Sequence, residues 1–173
     1  MSFAFVFPGQ GSQSVGMMAA YGDAAVVRAT FDEASAALGD DLWSMVADGP
    51  AETLTQTVNT QPVLLTAAIA VWRLWLGQGG RQPALLAGHS LGEYSALVAA
   101  GVIDFKDAVP LVRLRAAAMQ QAVPVGTGAM AAILGLDNAG IAAACAEAAQ
   151  GEVVEPVNFN ATGQTVIAGH KAA

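Results

Sequence analysis

The stretch "ALLAGHSLGEYSALVAAG", residues 84–101, decides how this chain is read. An apolar run, Ala84 to Ala87, leads into Gly88-His89-Ser90-Leu91-Gly92, and good helix formers follow. The order is strand, sharp turn, helix. The question is whether Ser90 is a nucleophile or only a serine in a tight turn. In a chain with 19 glycines, G-x-S-x-G can occur by accident, so its context carries the weight. Here Gly88 and Gly92 leave room for strand and helix to approach closely, which forces Ser90 outward in a strained conformation. A helix starting at Leu91 offers unpaired N–H groups and its positive dipole end to an oxyanion. Leu91 N–H is then the first oxyanion donor, and the backbone of the Pro8–Gly11 loop could supply the second.

Working outward, Phe3–Phe7 reads as a short buried strand, ended by the loop Pro8-Gly9-Gln10-Gly11-Ser12-Gln13. That loop lacks the Lys-Ser/Thr of a Walker motif and the spacing of a dinucleotide loop, so a phosphate cradle and a plain glycine turn both stay open. Residues 24–38 and 51–58 look helical, the second with Pro50 at its start. Residues 62–76 (PVLLTAAIAVWRLWL) form a strongly apolar helix ended by Gly77 and Gly79-Gly80. After the Ser90 turn a helix runs to about Ala100 with Gly101 as its cap, and Asp104 opens another that reaches about Gln121. Strand, helix and strand in this order predict an α/β fold, a parallel sheet covered by helices. From Pro124 the texture changes to a strand (Met130–Leu136), an Ala-rich helix opened by Asp137, a strand (Val153–Phe159), a turn at residues 160–163 and a strand (Gln164–Ala168). This is a small βαββ unit, so residues 1–123 and 124–173 are expected to be separate domains, with a further helix beginning at Gly169.

Composition narrows the function. The 173 residues are 54% hydrophobic and 12% charged, enough for a real core. Net charge is −7, and half of the acids fall between Asp23 and Glu52, where Arg28 is the one base. Such a surface argues against nucleic acid and reads as a solvated helix face. Neither a signal peptide nor a membrane span is expected, so a soluble, cytoplasmic protein is expected, and separately a monomer. Cys145 stands alone in "AAACAEAA" and reads as a small buried apolar residue. No metal site and no bound cofactor are expected.

Arg113 and Arg115 lie two apart on a helix and face different ways, so at most one points into a cleft. Such an arginine would hold a carboxylate by two parallel hydrogen bonds, although on its own either residue is more often a solvated surface cation. Met119, one turn from Arg115, has the spacing of a core residue. Neither histidine is a convincing general base. The ring of His89, immediately before Ser90, should point away from the hydroxyl, and His170 sits where capping or exposure is the ordinary role.

Taken together, "FVFPGQGSQ", "TQPVLL", "GHSLGEYSAL", "GVIDF", "GTGAMAAI" and "PVNFNATGQTVIAGH" closely resemble the malonyl-CoA:acyl-carrier-protein transacylases of bacterial fatty acid synthesis, and the acyltransferase domains of polyketide synthases. The resemblance runs the length of the chain. It implies a hydrolase-like core with a serine nucleophile elbow, plus an incomplete ferredoxin-like α+β subdomain. It also implies that Ser90 takes a malonyl group from malonyl-CoA as an ester and yields it to the phosphopantetheine thiol of an acyl carrier protein, with coenzyme A thioester as substrate. The Gln10 and Leu91 amides would form the oxyanion hole and Arg115 would face the malonyl carboxylate, with Met119, Asn158 and Asn160 beside the substrate. Leu91 is similar to malonyl-selective members; methylmalonyl-selective ones more often carry glutamine there. Family members run to about twice this length by that resemblance, and their catalytic histidine falls beyond Ala173. The general base is therefore expected outside this chain, and the chain is expected to be a fragment. Two other functions use some of the same features: a serine esterase or thioesterase, and a non-catalytic module binding CoA or a carrier protein.

Overall fold

A computed structural model of the chain describes residues 2–21, 23–124 and 126–173. Two compact units divide it, Met1–Met119 and Gln120–Ala173. The first unit is built on two parallel strands, β1 (Ala4–Phe7) and β2 (Leu85–Gly88), paired in register from Ala4 with Leu85 to Phe7 with Gly88. A parallel pair needs a crossover, and the helices between these strands supply it. They are α1 (Ala25–Leu38), α2 (Leu42–Ala47), α3 (Ala51–Leu54) and α4 (Thr57–Gly77); α5 (Leu91–Ala99) and α6 (Phe105–Ala122) follow β2.

Helix α4 is the core of this unit. It is apolar nearly all round, as a helix must be when neighbours enclose it, and Val63, Leu65, Ile69 and Ala70 are buried. Val27 and Phe31 of α1, Leu42 and Val46 of α2, and Val109 and Val112 of α6 complete the same cluster. A second cluster joins the sheet to helices α4 and α5 through Phe7, Trp72 and Ala96.

The sheet is not buried as a short apolar run would suggest. Phe5 and Phe7 face the helices, whereas Val6 on the other face is 70% exposed and its neighbour Leu85 is 69% exposed. With two strands and helices packed on Phe5, Phe7 and Leu86, one pleat face stays uncovered.

Several element bounds also differ from the sequence reading. The second helix stops at Leu54, and the apolar helix begins at Thr57, one turn before Pro62. Pro62 lies in the second turn of α4, past the unpaired first N–H groups, and withdraws one i→i−4 donor from the helix. The short α2 was not anticipated because a six-residue helix shows too little periodicity. Its signal is local: the Asp41 carboxylate accepts the Ser44 N–H at 2.9 Å and the Ser44 hydroxyl at 2.7 Å. The cap expected at Gly101 is present, with φ +72° and its N–H donating to Val98 O.

The second unit consists of β3 (Gly128–Leu134), α7 (Asn138–Ala149), β4 (Val154–Ala161) and β5 (Gln164–His170). Its sheet has the order β3-β5-β4 with both pairings antiparallel. Ile141 and Cys145 of α7 pack on Val154, Ile133 and Ile167, and Cys145 is buried as expected. Asp137 caps α7 by accepting the Gly140 N–H. No helix begins at Gly169. Gly169 and His170 instead continue β5 opposite Ala129 and Gly128, and Asn160 and Ala161 belong to β4, so the hairpin turn narrows to Thr162-Gly163.

The Ser44 bonds hold the Asp41 carboxyl below its ordinary pKa of 3.8. A carboxyl lowered in the folded state stabilises above its unfolded pKa, and that contribution is lost as pH falls through the lowered value. Asp41→Ala is therefore expected to lower the urea midpoint at neutral pH, by an amount that shrinks as pH falls below the ordinary value of 3.8. A pH-independent difference would show that the charge of Asp41 is not what caps α2.

Candidate active site

The chain turns from β2 into α5 within two residues, and close backbone contact makes this possible. A Cβ on Gly88 would overlap the backbone of Gly92, and one on Gly92 would overlap the carbonyl of Phe7. The strand, the helix and the end of β1 therefore meet backbone to backbone. Ser90 lies between them at φ 56° and ψ −113°, outside the left-handed helical well. Two turn bonds hold it: Gly92 N–H donates to His89 O at 2.9 Å and Glu93 N–H to Ser90 O at 3.2 Å. Ser90 is exposed and its hydroxyl makes no cap bond to α5, so Oγ is free to project from the turn.

The partner of that hydroxyl is Arg115. Its Nη2 donates to Ser90 Oγ at 2.8 Å, and its Nη1 donates to Gln61 Oε1 at 2.7 Å. The guanidinium also lies 5.6 Å from the centroid of the Tyr94 ring. Arg113, two residues earlier, points elsewhere and pairs with Asp40 at 2.6 Å. The two arginines thus face different ways, as their two-residue spacing on a helix requires.

The other expected residues are placed as follows. Leu91 is the first residue of α5, its side chain 1% exposed, with its N–H at the positive end of the helix. Gln10 lies in the loop after β1, where its Oε1 accepts the Thr57 hydroxyl at 2.9 Å. Gly11 N–H donates to Gln13 Oε1 and the Ser12 hydroxyl to Gly9 O, which gives that loop a defined shape. Met119 is not the core residue its spacing suggested: it is 51% exposed, with Sδ 3.5 Å from Gln61 Nε2. One helical turn beyond the last buried residue of α6, Ala116, it has run out of core to pack against. Asn158 and Asn160 lie in β4 of the second unit, Asn158 half-buried and Asn160 exposed. His170, also in that unit, accepts the Val153 N–H on Nδ1 at 3.0 Å.

Two residues of this site were missed. Gln61 is wholly buried and Thr57 sits at the start of α4, and together they connect Arg115 to Gln10. A glutamine at the head of an otherwise apolar run was the available signal, since a buried amide must find partners. Among the described residues no group of three or more His, Cys, Asp or Glu is placed to hold a metal ion, and no helix is long and apolar enough to cross a membrane.

A strained, exposed serine at a strand-to-helix elbow, beside a guanidinium and at a helix N-terminus, has the geometry of a nucleophile elbow. The acyl transferase domain model matches residues 4–173, and the chain belongs to that family. It is 66% identical over 172 residues to the malonyl CoA-acyl carrier protein transacylase of Salmonella typhimurium, covering 99% of this chain and 56% of that protein. The crystal structure of acyl-carrier-protein S-malonyltransferase from Burkholderia pseudomallei superposes with a TM-score of 0.95 at 67% identity, covering 99% of this chain and 56% of that one. A malonyl-transacylase solved in complex with a type II PKS acyl-carrier protein superposes equally well, TM-score 0.95 at 61% identity over 99% of this chain and 56% of that one. The chain thus spans about half the length of the curated relatives it matches.

Gly92 tests the elbow directly. In an ordinary helix Gly→Ala stabilises by about 1 kcal/mol, whereas here the added methyl meets the Phe7 carbonyl. Gly92→Ala is expected to destabilise by about 2 kcal/mol or more, seen as a lower thermal unfolding midpoint. A raised midpoint would mean that strand and helix do not need their close approach.

Proposed function

We propose that the chain carries the nucleophile and the acyl-recognition residues of a malonyl-CoA:acyl-carrier-protein transacylase. The observation that carries this reading is the 2.8 Å hydrogen bond from Arg115 to Ser90 Oγ. A malonyl group has its free carboxylate one methylene away from the thioester carbonyl. A guanidinium fixed beside the attacking oxygen is where that carboxylate would be met, and a lysine could not offer the same planar pair of donors.

In this reading Ser90 Oγ attacks the thioester carbonyl of malonyl-CoA, and the new oxyanion accepts the Leu91 and Gln10 backbone N–H groups. Each such donor is typically worth about 3 kcal/mol of barrier. Collapse of the adduct breaks the carbon–sulfur bond and releases coenzyme A as its thiol, leaving malonyl on Ser90. The phosphopantetheine thiol of a carrier protein then attacks this ester by the same route in reverse, and Ser90 recovers its proton.

Arg115 cannot be the base, because a guanidinium has no lone pair to take a proton and does not lose its own. That role goes to the histidine which the family resemblance implies outside these residues. The roles of Met119 beside the acyl group, and of Asn158 and Asn160 in orienting base or substrate, rest on the same resemblance. A cytoplasmic location and a monomeric state are part of this reading. No bound cofactor is required, since the thioester supplies its own leaving group.

A serine esterase would share the elbow, but a neutral acyl group would leave the guanidinium without a counter-charge. The two readings separate on one substitution in the full-length protein. Arg115→Ala is expected to cut kcat/KM for malonyl transfer about 100-fold, the worth of a charged hydrogen-bonded pair, and acetyl transfer less. Equal loss for both acyl groups would remove the carboxylate role. Intact-mass measurement after incubation with malonyl-CoA is expected to show one malonyl adduct on wild type and none on Ser90→Ala. Wild type without an adduct would favour the non-catalytic binding module.

A further inference from the structure

We infer that Gln61, supported by Thr57, is a positioning residue for malonyl selectivity: it holds Arg115 in place without neutralising it and ties it to the Gln10 loop. The inference rests on the transacylase reading above and adds to it.

Four hydrogen bonds form one continuous chain. Arg115 Nη2 donates to Ser90 Oγ, and Arg115 Nη1 donates to Gln61 Oε1. At its other end Gln61 Nε2 donates to Thr57 Oγ1 at 3.1 Å, and the Thr57 hydroxyl donates to Gln10 Oε1 at 2.9 Å. The direction of the chain is forced. Arginine has only donors, so Gln61 must turn its carbonyl oxygen toward Arg115 and its NH2 toward Thr57. Thr57 then has one hydrogen left to give, and Gln10 Oε1 receives it. Reversing the Gln61 amide would set donor against donor at Arg115.

Burial makes this arrangement consequential. Gln61 is 0% exposed, so water cannot replace a lost partner, and each broken bond leaves a buried polar atom unsatisfied. The chemical type matters equally. A carboxylate at position 61 would also accept from Arg115, and more strongly, but it would cancel the positive charge that an incoming carboxylate must find. A neutral amide fixes the fork and leaves its charge in place. Because the same amide reaches Gln10 through Thr57, the side chain of the loop whose backbone N–H serves the oxyanion is tied to the group that reads the acyl carboxylate.

The test compares malonyl and acetyl transfer from their CoA thioesters to a carrier protein, using full-length wild type, Gln61→Glu, Thr57→Val and Thr57→Ser. Gln61→Glu is expected to lower the malonyl-to-acetyl ratio of kcat/KM about tenfold, mainly through a higher KM for malonyl-CoA. Thr57→Val, which keeps shape but removes the hydroxyl, is expected to lower kcat about tenfold for both acyl groups, and Thr57→Ser to restore it. The Thr57 pair reads the chain even where Gln61→Glu does not fold. If wild type prefers malonyl and Gln61→Glu keeps that preference, or Thr57→Val transfers as fast as Thr57→Ser, the positioning role is overturned and the transacylase reading stands. If wild type shows no preference for malonyl, both fall together.

Discussion

The contact on which the rest of this structure depends is between three pieces of backbone: the end of β1 at Phe7, the end of β2 at Gly88 and the first turn of α5 at Gly92. No side chain fits among them. Parallel pairing sets Phe7 opposite Gly88, so both strands end at the same level. The loop that leaves β1 and the turn that leaves β2 must then lie side by side, and a Cβ on Gly9 would already press on His89 O at 3.2 Å. Gly9 and His89 are 80 residues apart in sequence, and the strand register makes them neighbours. This is the general reason that loops at the carboxyl ends of parallel strands assemble sites.

Electrostatics at this point is decided by how one guanidinium is shared. Arg115 is half-buried in a chain that is acidic overall, yet its two nearest hydrogen-bond partners are neutral, Ser90 and Gln61. Arg113 shows the contrast. Two residues away on the same helix it faces Asp40, and its charge is already matched. One arginine is thus tied into an ion pair, while the other has only neutral hydrogen-bond partners. At 3.6 residues per turn, a spacing of two puts successive side chains on nearly opposite sides of the helix, so neither role can be exchanged for the other.

Much of this was legible in sequence because the signals were local. The elbow needs glycine at two fixed positions and a serine between them, and all three stand within five residues. The caps at Asp137 and Gly101 were equally readable, each being a short-range bond between a residue and a nearby turn. What escaped was what depends on distant neighbours. The bare face of the two-stranded sheet reflects which helices pack on it, and an apolar tetrapeptide looks the same whether one face is covered or two. Met119 keeps the helical spacing of a core residue, but it lies past the last buried residue of α6 and stays half exposed, with only the Gln61 amide at its sulfur among its hydrogen-bond contacts. The link from Gln61 to Arg115 joins residues 54 apart, and only the α4–α6 packing brings them together. In the second unit the residues from Gly169 look like a helix start in sequence, and only pairing with Ala129 and Gly128 of β3 makes them strand.

The strain at Ser90 explains why so rigid a support surrounds it. A non-glycine residue in a sparsely populated backbone region costs about 1–3 kcal/mol and persists only where its surroundings over-determine it. Here the surroundings are on both sides. Ahead of Ser90, β2 is fixed by pairing with β1; behind it, the Leu91 side chain is anchored in the main core beside Leu64 and Val109. Relaxing Ser90 toward ordinary helical angles would have to withdraw Leu91 from that core or separate the strands, and burial of one leucine alone is worth about 2 kcal/mol. The conformation that costs the backbone most is therefore held by the contacts that stabilise the unit most. This keeps Oγ, the Leu91 N–H and the Arg115 fork in one geometry before any substrate arrives.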